Sequence, residues 1–418
     1  MRPGGVELVT IGTELLLGSI DGNAAWLGAA LAERGIRLVR RTTVGDDEAD
    51  IRSAISDALD RTGIVLCTGG LGPTRDDLTR PAVAGLFGRR LILDQRWLDI
   101  IEQRFRERGM IMPPTNRVQA EAPEGARLLP NARGTAPGLI VEEPERGVVI
   151  LLPGVPREMR ALTRDHVLPW LMQRAGTTHP IRTRALRTTG VSESGIAEKV
   201  ADLVDAVAPL TVAFLPAPTG EDIHFTCWGD LDPAAADAAF AHAIQRFRER
   251  LVPWVYGEDD ADLAAVVGEL LRARGLTLAV AESCTGGVLT ARLTAIPGAS
   301  DYLLAGHVAY ANEAKIGLLG VRPETLAEHG AVAEATVLEM AEGARRRAGA
   351  ECALAVTGIA GPGGGTPEKP VGTVWIAAAA RGPARAKRLH LIGDRNEIRE
   401  RAAQAALALL RRELEERA

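Results

Sequence analysis

The run Ile64-Val65-Leu66-Cys67-Thr68-Gly69-Gly70-Leu71-Gly72-Pro73-Thr74-Arg75-Asp76-Asp77-Leu78-Thr79 joins a short apolar segment to a glycine-rich loop. The apolar part, Ile64–Cys67, predicts a buried strand, and the closely spaced glycines let the following backbone turn tightly and offer N–H groups to a ligand. Such a loop suits a phosphate, and Asp76 and Asp77 add the hard oxygen donors that a divalent cation prefers. The simpler alternative is a glycine turn in which Asp77 or Thr79 caps the next helix.

The segments before this loop alternate between strand and helix signals. In chain order they predict a strand at Val6–Ile11, a helix that Asn23 caps and that runs through Arg34 to Gly35, a strand at Ile36–Val44 and a helix at Asp47–Arg61. This βαβαβ order predicts a parallel sheet with helices on both faces, and ligands of such sheets lie at the carboxyl ends of the strands. The loops after Ile11 and Cys67 are therefore the candidate ligand sites of this region.

A chain of 418 residues is expected to form two or three domains. The middle segment predicts a small α+β unit, with strands at Ile181–Thr188, Thr211–Leu215 and Ile223–Trp228, helices near Ser194–Val207 and at Pro233–Arg250, and a linker at Val255–Asp260. The last segment begins with a helix at Ala261–Arg274 and a strand at Leu276–Ala281, and it ends with the helix Glu397–Ala418.

A second candidate site follows the strand Leu276–Ala281. The sequence there is Glu282-Ser283-Cys284-Thr285-Gly286-Gly287, and a helix is predicted from Val288. A nucleophile on a strand-to-helix turn has helix N–H groups beside it, which can stabilise an oxyanion. Ser, Cys and Thr are all able to attack, but Cys needs little activation whereas Ser needs a neighbouring base. The alternative is that Ser283 or Thr285 only caps the helix.

Lysine is rare in this chain, and its placement is informative. Lys and Arg together number 49, and the lysines are Lys199, Lys315, Lys369 and Lys387. Arg effectively never loses its proton, whereas a desolvated Lys can act as a base. Lys315 follows Tyr310-Ala311-Asn312-Glu313-Ala314, which is interpreted as a polar turn after a strand, and it is the predicted partner of Ser283 in a Ser–Lys amidase pair. A fixed phosphate contact is the alternative role for Lys315.

Two further loops complete the predicted C-terminal site. The run Thr357-Gly358-Ile359-Ala360-Gly361-Pro362-Gly363-Gly364-Gly365 follows the apolar strand Cys352–Val356. Its N–H groups can cradle a phosphate or a sugar, and a long surface loop is the alternative. Arg395, in Gly393-Asp394-Arg395 before the last helix, is either a phosphate contact or a solvated charge.

Composition excludes several classes of protein. A net charge of -5 argues against a bulk nucleic-acid coat, and four distant cysteines without a CxxC pair exclude a zinc ribbon and a disulfide scaffold. The apolar runs are far short of a membrane span, so a soluble, cytoplasmic protein is expected.

These motifs resemble those of the CinA family over most of the chain. The matching runs are GTELLLG (12–18), TGGLGPTRDDLT (68–79), MPPTNRVQA (112–120), LPN (129–131), GTAPG (134–138), LPGVPRE (152–158), AESCTGG (281–287), AYANEAK (309–315), TGIAGP (357–362), KPVGTVW (369–375) and GDR (393–395).

The resemblance implies an α/β fold with three parts. They are a doubly wound, mostly parallel sheet of the molybdopterin-binding type over residues 1–172, a KH-like α+β module over 178–256, and an α/β amidase domain over 260–418. It also implies two hydrolytic activities of NAD salvage. One is metal-dependent cleavage of ADP-ribose to AMP and ribose 5-phosphate, and the other is hydrolysis of nicotinamide mononucleotide (NMN) to nicotinate mononucleotide and ammonia.

The resemblance further implies residue roles. In the amidase site, Ser283 attacks the carboxamide, Lys315 takes its proton and Tyr310 assists. The other implied members of that site are Thr285 and Gly286 in the oxyanion pocket and Asn312, Thr357, Gly358 and Arg395 on the nucleotide. At the N-terminal site, the implied substrate contacts are Asn23, Gly69, Gly70, Thr74 and Asn116, with Glu14 beside them. Asp76 and Asp77 would hold a divalent metal ion such as Mg²⁺, with K⁺ as a further ion, whereas the amidase site would need no cofactor.

Two segments depart from the family pattern or lack a binding motif. In the run Gly330-Ala331-Val332-Ala333-Glu334, Ala333 stands where relatives usually carry Ser. Activity would be weaker if that hydroxyl matters, but its role is expected to be minor because the Ser–Lys pair is intact. The run Gly190–Gly195 does not have the GxxG spacing of nucleic-acid-binding KH units, so the middle module is predicted to be a spacer or a dimer element. A homodimer without nucleic-acid or membrane partners is expected. The rival functions are a molybdopterin-binding or cofactor-insertion protein and a competence-linked, nucleic-acid-associated factor.

Overall fold

The computed structural model describes residues 5–175, 179–217 and 219–416. The predicted domain limits at residues 1, 178 and 418 lie outside these ranges. The chain divides into two compact units, one of Met1–Arg182 with Cys227–Asp237 and the other of Thr183–Thr226 with Ala238–Ala418. None of the helices in the described ranges combines the length and the apolar content that a membrane span requires.

The first unit contains an α/β arrangement that begins with a buried strand. Its strands are β1 (Val6–Ile11), β2 (Leu38–Val44), β3 (Ile64–Thr68), β4 (Leu91–Leu93), β5 (Glu121–Pro123), β6 (Arg127–Leu129), β7 (Gly138–Glu143) and β8 (Gly147–Leu152). Its helices are α1 (Thr13–Leu16), α2 (Gly22–Ala32), α3 (Glu48–Thr62), α4 (Thr79–Leu86), α5 (Gln95–Glu107), α6 (Pro156–Leu162) and α7 (Leu168–Ala175), with a 3-10 helix at Pro114–Ala120 and a π-helical turn at Thr163–Val167.

Six of these strands form one mostly parallel sheet in the order β2-β1-β3-β8-β7-β6. Strands β2, β1, β3 and β8 are parallel, whereas β7 and β6 are antiparallel additions at one edge. Residues of α2, α6 and α7 pack in one apolar cluster and residues of α3 and α4 in another, so helices cover both faces as the βαβαβ pattern predicts. The parallel strands bring their carboxyl ends, and hence the loops after Ile11 and Thr68, to a common edge.

The start of α2 differs from the prediction. Asp21, not Asn23, caps the helix, because Asp21 Oδ1 accepts a hydrogen bond of 2.9 Å from the backbone N–H of Ala24. Asn23 lies inside the first turn, and its side-chain amide donates to the carbonyl of Gly154, 2.7 Å away.

The middle segment contains a four-stranded sheet and two helices. Its elements are β9 (Arg182–Thr188), α8 (Glu193–Val204), a 3-10 helix (Asp205–Val207), β10 (Thr211–Ala217), β11 (Gly220–Cys227), α9 (Pro233–Arg250) and β12 (Val255–Glu258), and the sheet order is β10-β11-β9-β12. The prediction of a linker at Val255–Asp260 is wrong. Residues 255–258 are a strand antiparallel to β9, and the carboxylate of Glu258 forms ion pairs with Arg184 and Arg248.

The C-terminal segment is a second α/β layer arrangement. Its strands are β13 (Leu278–Glu282), β14 (Leu303–Val308), β15 (Cys352–Gly358), β16 (Thr373–Ala380) and β17 (Arg385–His390). Its helices are α10 (Leu263–Ala273), α11 (Val288–Thr294), α12 (Asn312–Leu319), α13 (Pro323–His329), α14 (Glu334–Ala348) and α15 (Arg395–Glu416), with a 3-10 helix at Ala299–Asp301.

The C-terminal sheet has the order β14-β13-β15-β16-β17. Strands β14, β13 and β15 are parallel, so the loops after Glu282, Val308 and Gly358 leave the same edge. Alternate residues of β13 face opposite sides: Leu278 and Val280 pack with α10 and α15, whereas Ala279 and Ala281 pack with α14. The common strand edge is where the predicted amidase residues lie.

Candidate functional site

Two neighbouring strands bring Ser283 and Lys315 into contact. Ser283 directly follows β13, and Lys315 lies in α12 after β14. Lys315 Nζ is 3.0 Å from Ser283 Oγ, and the lysine is 1% exposed. The prediction of a polar turn around Lys315 is therefore wrong, because the residue is helical and buried.

Burial of Lys315 makes its charged form more costly than it is in water. Its Nζ donates to the carbonyl oxygens of Ala309 and Tyr310, each 3.0 Å away. Carbonyls only accept, so a neutral amine can give them both of its N–H bonds and turn its lone pair toward the hydroxyl of Ser283. Burial lowers the pKa of Lys315, and within the described ranges no ion pair holds its charge. The arrangement is that of a general base beside a nucleophile.

The two neighbouring residues that could also act as nucleophiles, Cys284 and Thr285, have no such base. Cys284 is buried, and burial raises the pKa of its thiol to about 12, so the thiol stays protonated at neutral pH. Thr285 is fully buried, and its hydroxyl has no hydrogen-bond partner in the described part of the chain. Of the three residues, Ser283 has the base.

Glu282, which was not predicted as a site residue, fixes the loop that carries the nucleophile. Its fully buried carboxylate accepts hydrogen bonds from the backbone N–H groups of Gly287, Leu289 and Thr290, at 3.0, 3.0 and 2.8 Å, and from the Thr290 hydroxyl at 2.6 Å. The suggestion that Ser283 or Thr285 caps α11 is therefore wrong. The sequence does carry a signal for this role: Glu282 ends an apolar strand and precedes a helix N-terminus by one short loop, and a carboxylate is stabilised by the N–H groups of such a terminus.

The loop leaves two backbone N–H groups for an oxyanion. The N–H of Ser283 donates to Val356 O and that of Gly286 donates to Ser283 O, so both are engaged. The N–H groups of Cys284 and Thr285 donate to no backbone carbonyl in the described part of the chain. The carbonyl of Thr285 is held by Arg399 through its Nε and Nη2, 3.0 and 2.9 Å away.

A cavity of about 280 Å³ opens beside Ser283. Of the predicted site residues, it is lined by Ser283, Tyr310, Asn312, Lys315, Thr357, Gly358 and Arg395, whereas Thr285 and Gly286 lie outside the lining. Ala331 and Val332 also line it, although no sequence motif predicted them.

The rim of this cavity is held by side-chain hydrogen bonds. Arg395, the first residue of α15, donates through Nη2 to the Tyr310 hydroxyl at 2.9 Å and through Nη1 to Gly361 O. The Thr357 hydroxyl donates to Ala331 O at 2.7 Å. Ala333 does not line the cavity and instead lies at the N-cap of α14, where no side chain accepts from the helix.

The N-terminal glycine loop is shaped by Asp77. Its carboxylate accepts from the backbone N–H of Gly72 (2.6 Å) and from the backbone N–H and hydroxyl of Thr74 (2.8 and 2.5 Å). A Cβ on Gly69 would lie 2.1 Å from Ile11 O, and one on Gly70 would lie 2.2 Å from Thr79 Oγ1, so both positions need glycine. Asp77 and Thr79 do not cap α4, since they bond to the loop instead.

Of the other residues predicted for this site, Asn23 lies near the glycine loop, whereas Asn116 bonds elsewhere. Asn23 donates to Gly154 O, and Gly154 lies against Gly69, which places Asn23 at the base of the glycine loop. Its Oδ1 is buried without a hydrogen-bond partner in the described chain. Asn116 instead donates to Gln119 Oε1, 2.9 Å away. The buried guanidinium of Arg80, which the sequence analysis missed, donates to Leu71 O and Gly72 O, and burial lowers its pKa.

A metal ion at this site would need ligands beyond the protein. Asp76 is exposed, and hydrogen bonding from Thr74 and its own backbone lowers its pKa, so it is ionised at neutral pH. The described residues contain no group of three or more His, Cys, Asp and Glu side chains able to hold a metal. Mg²⁺ commonly binds through one or two carboxylates together with water and substrate phosphates, and Asp76 fits only that mode.

Three family profiles match the chain in sequence. They are described as "Probable molybdopterin binding domain" (residues 7–173), "Damage-inducible protein CinA KH domain" (183–257) and "CinA C-terminal domain" (260–414). A "CinA-like protein" of Gemmatimonas aurantiaca is 50% identical over 410 residues, covering 97% of this chain and 96% of that one. A "CinA-like protein" of Gloeobacter violaceus is 47% identical over 413 residues, covering 98% and 96%. Among solved structures, a CinA superfamily protein from Klebsiella pneumoniae is 43% identical, covers 37% of this chain and 96% of its own, and has a TM-score of 0.36.

Proposed function

The chain belongs to the CinA family, and on that premise we propose that its C-terminal domain hydrolyses the carboxamide of NMN to nicotinate mononucleotide and ammonia. The observation that carries the proposal is the 3.0 Å contact between Lys315 Nζ and Ser283 Oγ. A buried amine beside a hydroxyl supplies the base that a serine nucleophile needs. A molybdopterin carrier has no need of such a pair.

The proposed reaction uses the pair twice. Ser283 Oγ attacks the carboxamide carbon while neutral Lys315 takes the hydroxyl proton, and the oxyanion turns toward the backbone N–H of Cys284, which lines the cavity, and that of the adjacent Thr285. Lys315 then returns the proton to the nitrogen, the C–N bond breaks, and ammonia leaves from an ester on Ser283. Water, deprotonated by Lys315, hydrolyses the ester to the carboxylate and restores Ser283.

The other residues that line the cavity are proposed to bind the nucleotide. Arg395 offers a positive charge there, held in place by Tyr310 and the carbonyl of Gly361. It suits the phosphate of NMN, since guanidinium pairs well with phosphate oxygens. Thr357, Gly358 and Asn312 line the same cavity and are proposed to contact the nucleotide.

Ammonia release from NMN tests the assignment. The purified chain is expected to release ammonia, and Ser283→Ala and Lys315→Ala are expected to lose the activity. Cys284→Ala is the matched control and is expected to retain it, because its thiol is protonated and has no base. The assignment fails if wild type releases no ammonia, or if Ser283→Ala and Lys315→Ala keep the full rate.

For the N-terminal domain we propose metal-dependent cleavage of ADP-ribose, giving AMP and ribose 5-phosphate. The supporting observation is the loop that Asp77 holds open beside Asn23, with the ionised, exposed carboxylate of Asp76 at its tip. Mg²⁺ bound there would supply charge neutralisation for the diphosphate, and K⁺ would be an auxiliary ion.

ADP-ribose cleavage, measured as AMP release with and without a chelator, tests this activity. Cleavage that survives both chelation and Asp76→Asn contradicts the proposal.

A further inference from the structure

A second cavity of the C-terminal unit lies away from Ser283 and has no part in the proposed amidase reaction. Its volume is about 340 Å³, which falls in the range of small-molecule sites. One wall comes from β16, β17 and α15, and the other comes from the turn Thr189–Val191 and residues 219–221 of the middle module.

The wall made by α15 and β17 has a regular pattern. Arg401, Ala405, Ala408, Leu409 and Arg412 are spaced as one stripe of a helix, about 16 Å long. Lys387, Leu389 and Leu391 alternate along β17 and just beyond it, so they share one face. Each element therefore presents an apolar surface that ends in a cation.

Two of the three cations of this wall, Lys387 and Arg412, lie at the same end. Arg385 forms ion pairs with Glu413 and Glu416, so the start of β17 lies beside the end of α15. Lys387 and Arg412 are consequently at the same end, whereas Arg401 is at the other end and donates to Ile392 O. Lys387 and Arg412 form no ion pair with the described chain, and Arg412 Nε is buried without a partner.

The opposite wall carries an unmatched acceptor. Glu221 Oε2 is buried without a hydrogen-bond partner in the described residues. Burial and the nearby carboxylates of Glu193 and Asp222 raise the pKa of Glu221. A ligand that fits must bring an anion to Lys387 and Arg412, an apolar face to the leucines and a donor to Glu221.

We propose that this cavity binds a nucleoside monophosphate, with its phosphate on Lys387 and Arg412, its base on Leu389 and Leu409, and a hydroxyl or amino group donated to Glu221. Phosphate is the anion that unpaired cations of both types accept. A heteroaromatic base has the flat face that two leucines and the small Ala405 and Ala408 accommodate. The proposal does not rest on the amidase or pyrophosphatase assignments, since it concerns binding at other residues.

Photolabelling of the full chain with 8-azido-AMP, followed by peptide mapping, tests the proposal without interference from AMP bound elsewhere. Label is expected on peptides that contain residues 387–391 or 401–412. Lys387→Gln combined with Arg412→Gln is expected to reduce that label about tenfold or more, since both charge-assisted contacts with the phosphate are lost. Lys387→Arg keeps the charge and is expected to retain the label, as is Arg347→Gln, which removes an exposed cation of α14.

Competition separates the parts of the ligand. Unlabelled AMP is expected to displace the label at lower concentration than adenosine, ribose 5-phosphate or inorganic phosphate. Equal competition by adenosine overturns the phosphate contact, and equal competition by ribose 5-phosphate overturns the base contact. The whole proposal is overturned if residues 387–412 remain unlabelled, or if the double variant, with an unchanged thermal unfolding midpoint, labels like wild type.

Discussion

Lys315 Nζ meets Ser283 Oγ at 3.0 Å, and the other neighbours within hydrogen-bond distance are backbone carbonyls. Lys315→Arg is therefore expected to lower kcat for NMN hydrolysis by about 10³-fold or more, because guanidinium cannot become the neutral base. Steady-state ammonia release measures the effect. Lys199→Arg, on a helix of the middle module, is the matched control and should keep the wild-type rate. A Lys315→Arg enzyme with undiminished kcat would show that the lysine is only a fixed charge.

Stability should depend on pH through Lys315. Burial lowers its pKa in the folded chain, whereas the unfolded chain has a value of about 10.4. Between these two values the unfolded state binds more protons, so the free energy of unfolding rises with pH. Below the folded-state pKa, both states are protonated and the full cost of the buried charge remains. The difference in unfolding free energy between wild type and Lys315→Met, measured in urea at several pH values, should rise across this window. A flat or falling difference would mean that the pKa is not lowered.

Glu282 should matter for both stability and turnover. Glu282→Gln replaces an oxygen that accepts N–H bonds with an amide NH₂ that cannot accept, next to α11. The variant should lose about 2–4 kcal/mol of unfolding free energy, because hydrogen bonds to a buried charge are lost and donors are left unpaired. Since Glu282 positions Ser283 and does not touch the substrate, kcat should fall more than KM rises. Chemical unfolding and NMN kinetics test both effects, and a KM change without a kcat change would contradict the positioning role.

The sequence predicted the elements whose signals are local. Ile64–Cys67, the strand at Val6–Ile11 and the helix at Pro233–Arg250 follow from apolar periodicity and nearby turn residues, and the structure has them. The strand Val255–Glu258 was not predicted, because its acidic end resembles a linker. Glu258 pairs with Arg184 of β9, which lies 74 residues away in sequence. No local pattern encodes such a partner.

In the C-terminal site, too, some features follow from local sequence and others depend on distant partners. Ser283 and Lys315 were identified from residue type, and the fold brings them together across two parallel strands. The helical, buried setting of Lys315 and the carboxylate network of Glu282 depend on packing between elements, so the sequence did not predict them. Composition indicates which chemistry is available, and strand order determines which groups meet.

Ala333→Ser should stabilise the protein with little effect on turnover. Ala333 is the N-cap of α14 and has no side chain to accept from the first turn. A Ser at an N-cap contributes about 0.5–2 kcal/mol relative to Ala. Urea unfolding should show this gain, and NMN hydrolysis should stay within about twofold, because Ala333 is outside the cavity lining. A large gain in kcat would instead place the missing hydroxyl in the reaction.

Asp76 and Asp77 should respond differently to the same substitution. Asp77→Asn replaces one of the two oxygens that together accept three loop hydrogen bonds with an NH₂ group that cannot accept, and it should lower the unfolding free energy by about 1–3 kcal/mol. Asp76→Asn changes a carboxylate that also accepts hydrogen bonding but is fully exposed, so stability should fall less than in Asp77→Asn while Mg²⁺-dependent ADP-ribose cleavage falls. Asp57→Asn, an exposed position on α3, serves as the control for lost surface charge. If both variants cleave ADP-ribose at the wild-type rate, neither carboxylate holds a catalytic metal, and the glycine loop must neutralise the diphosphate through its N–H groups alone.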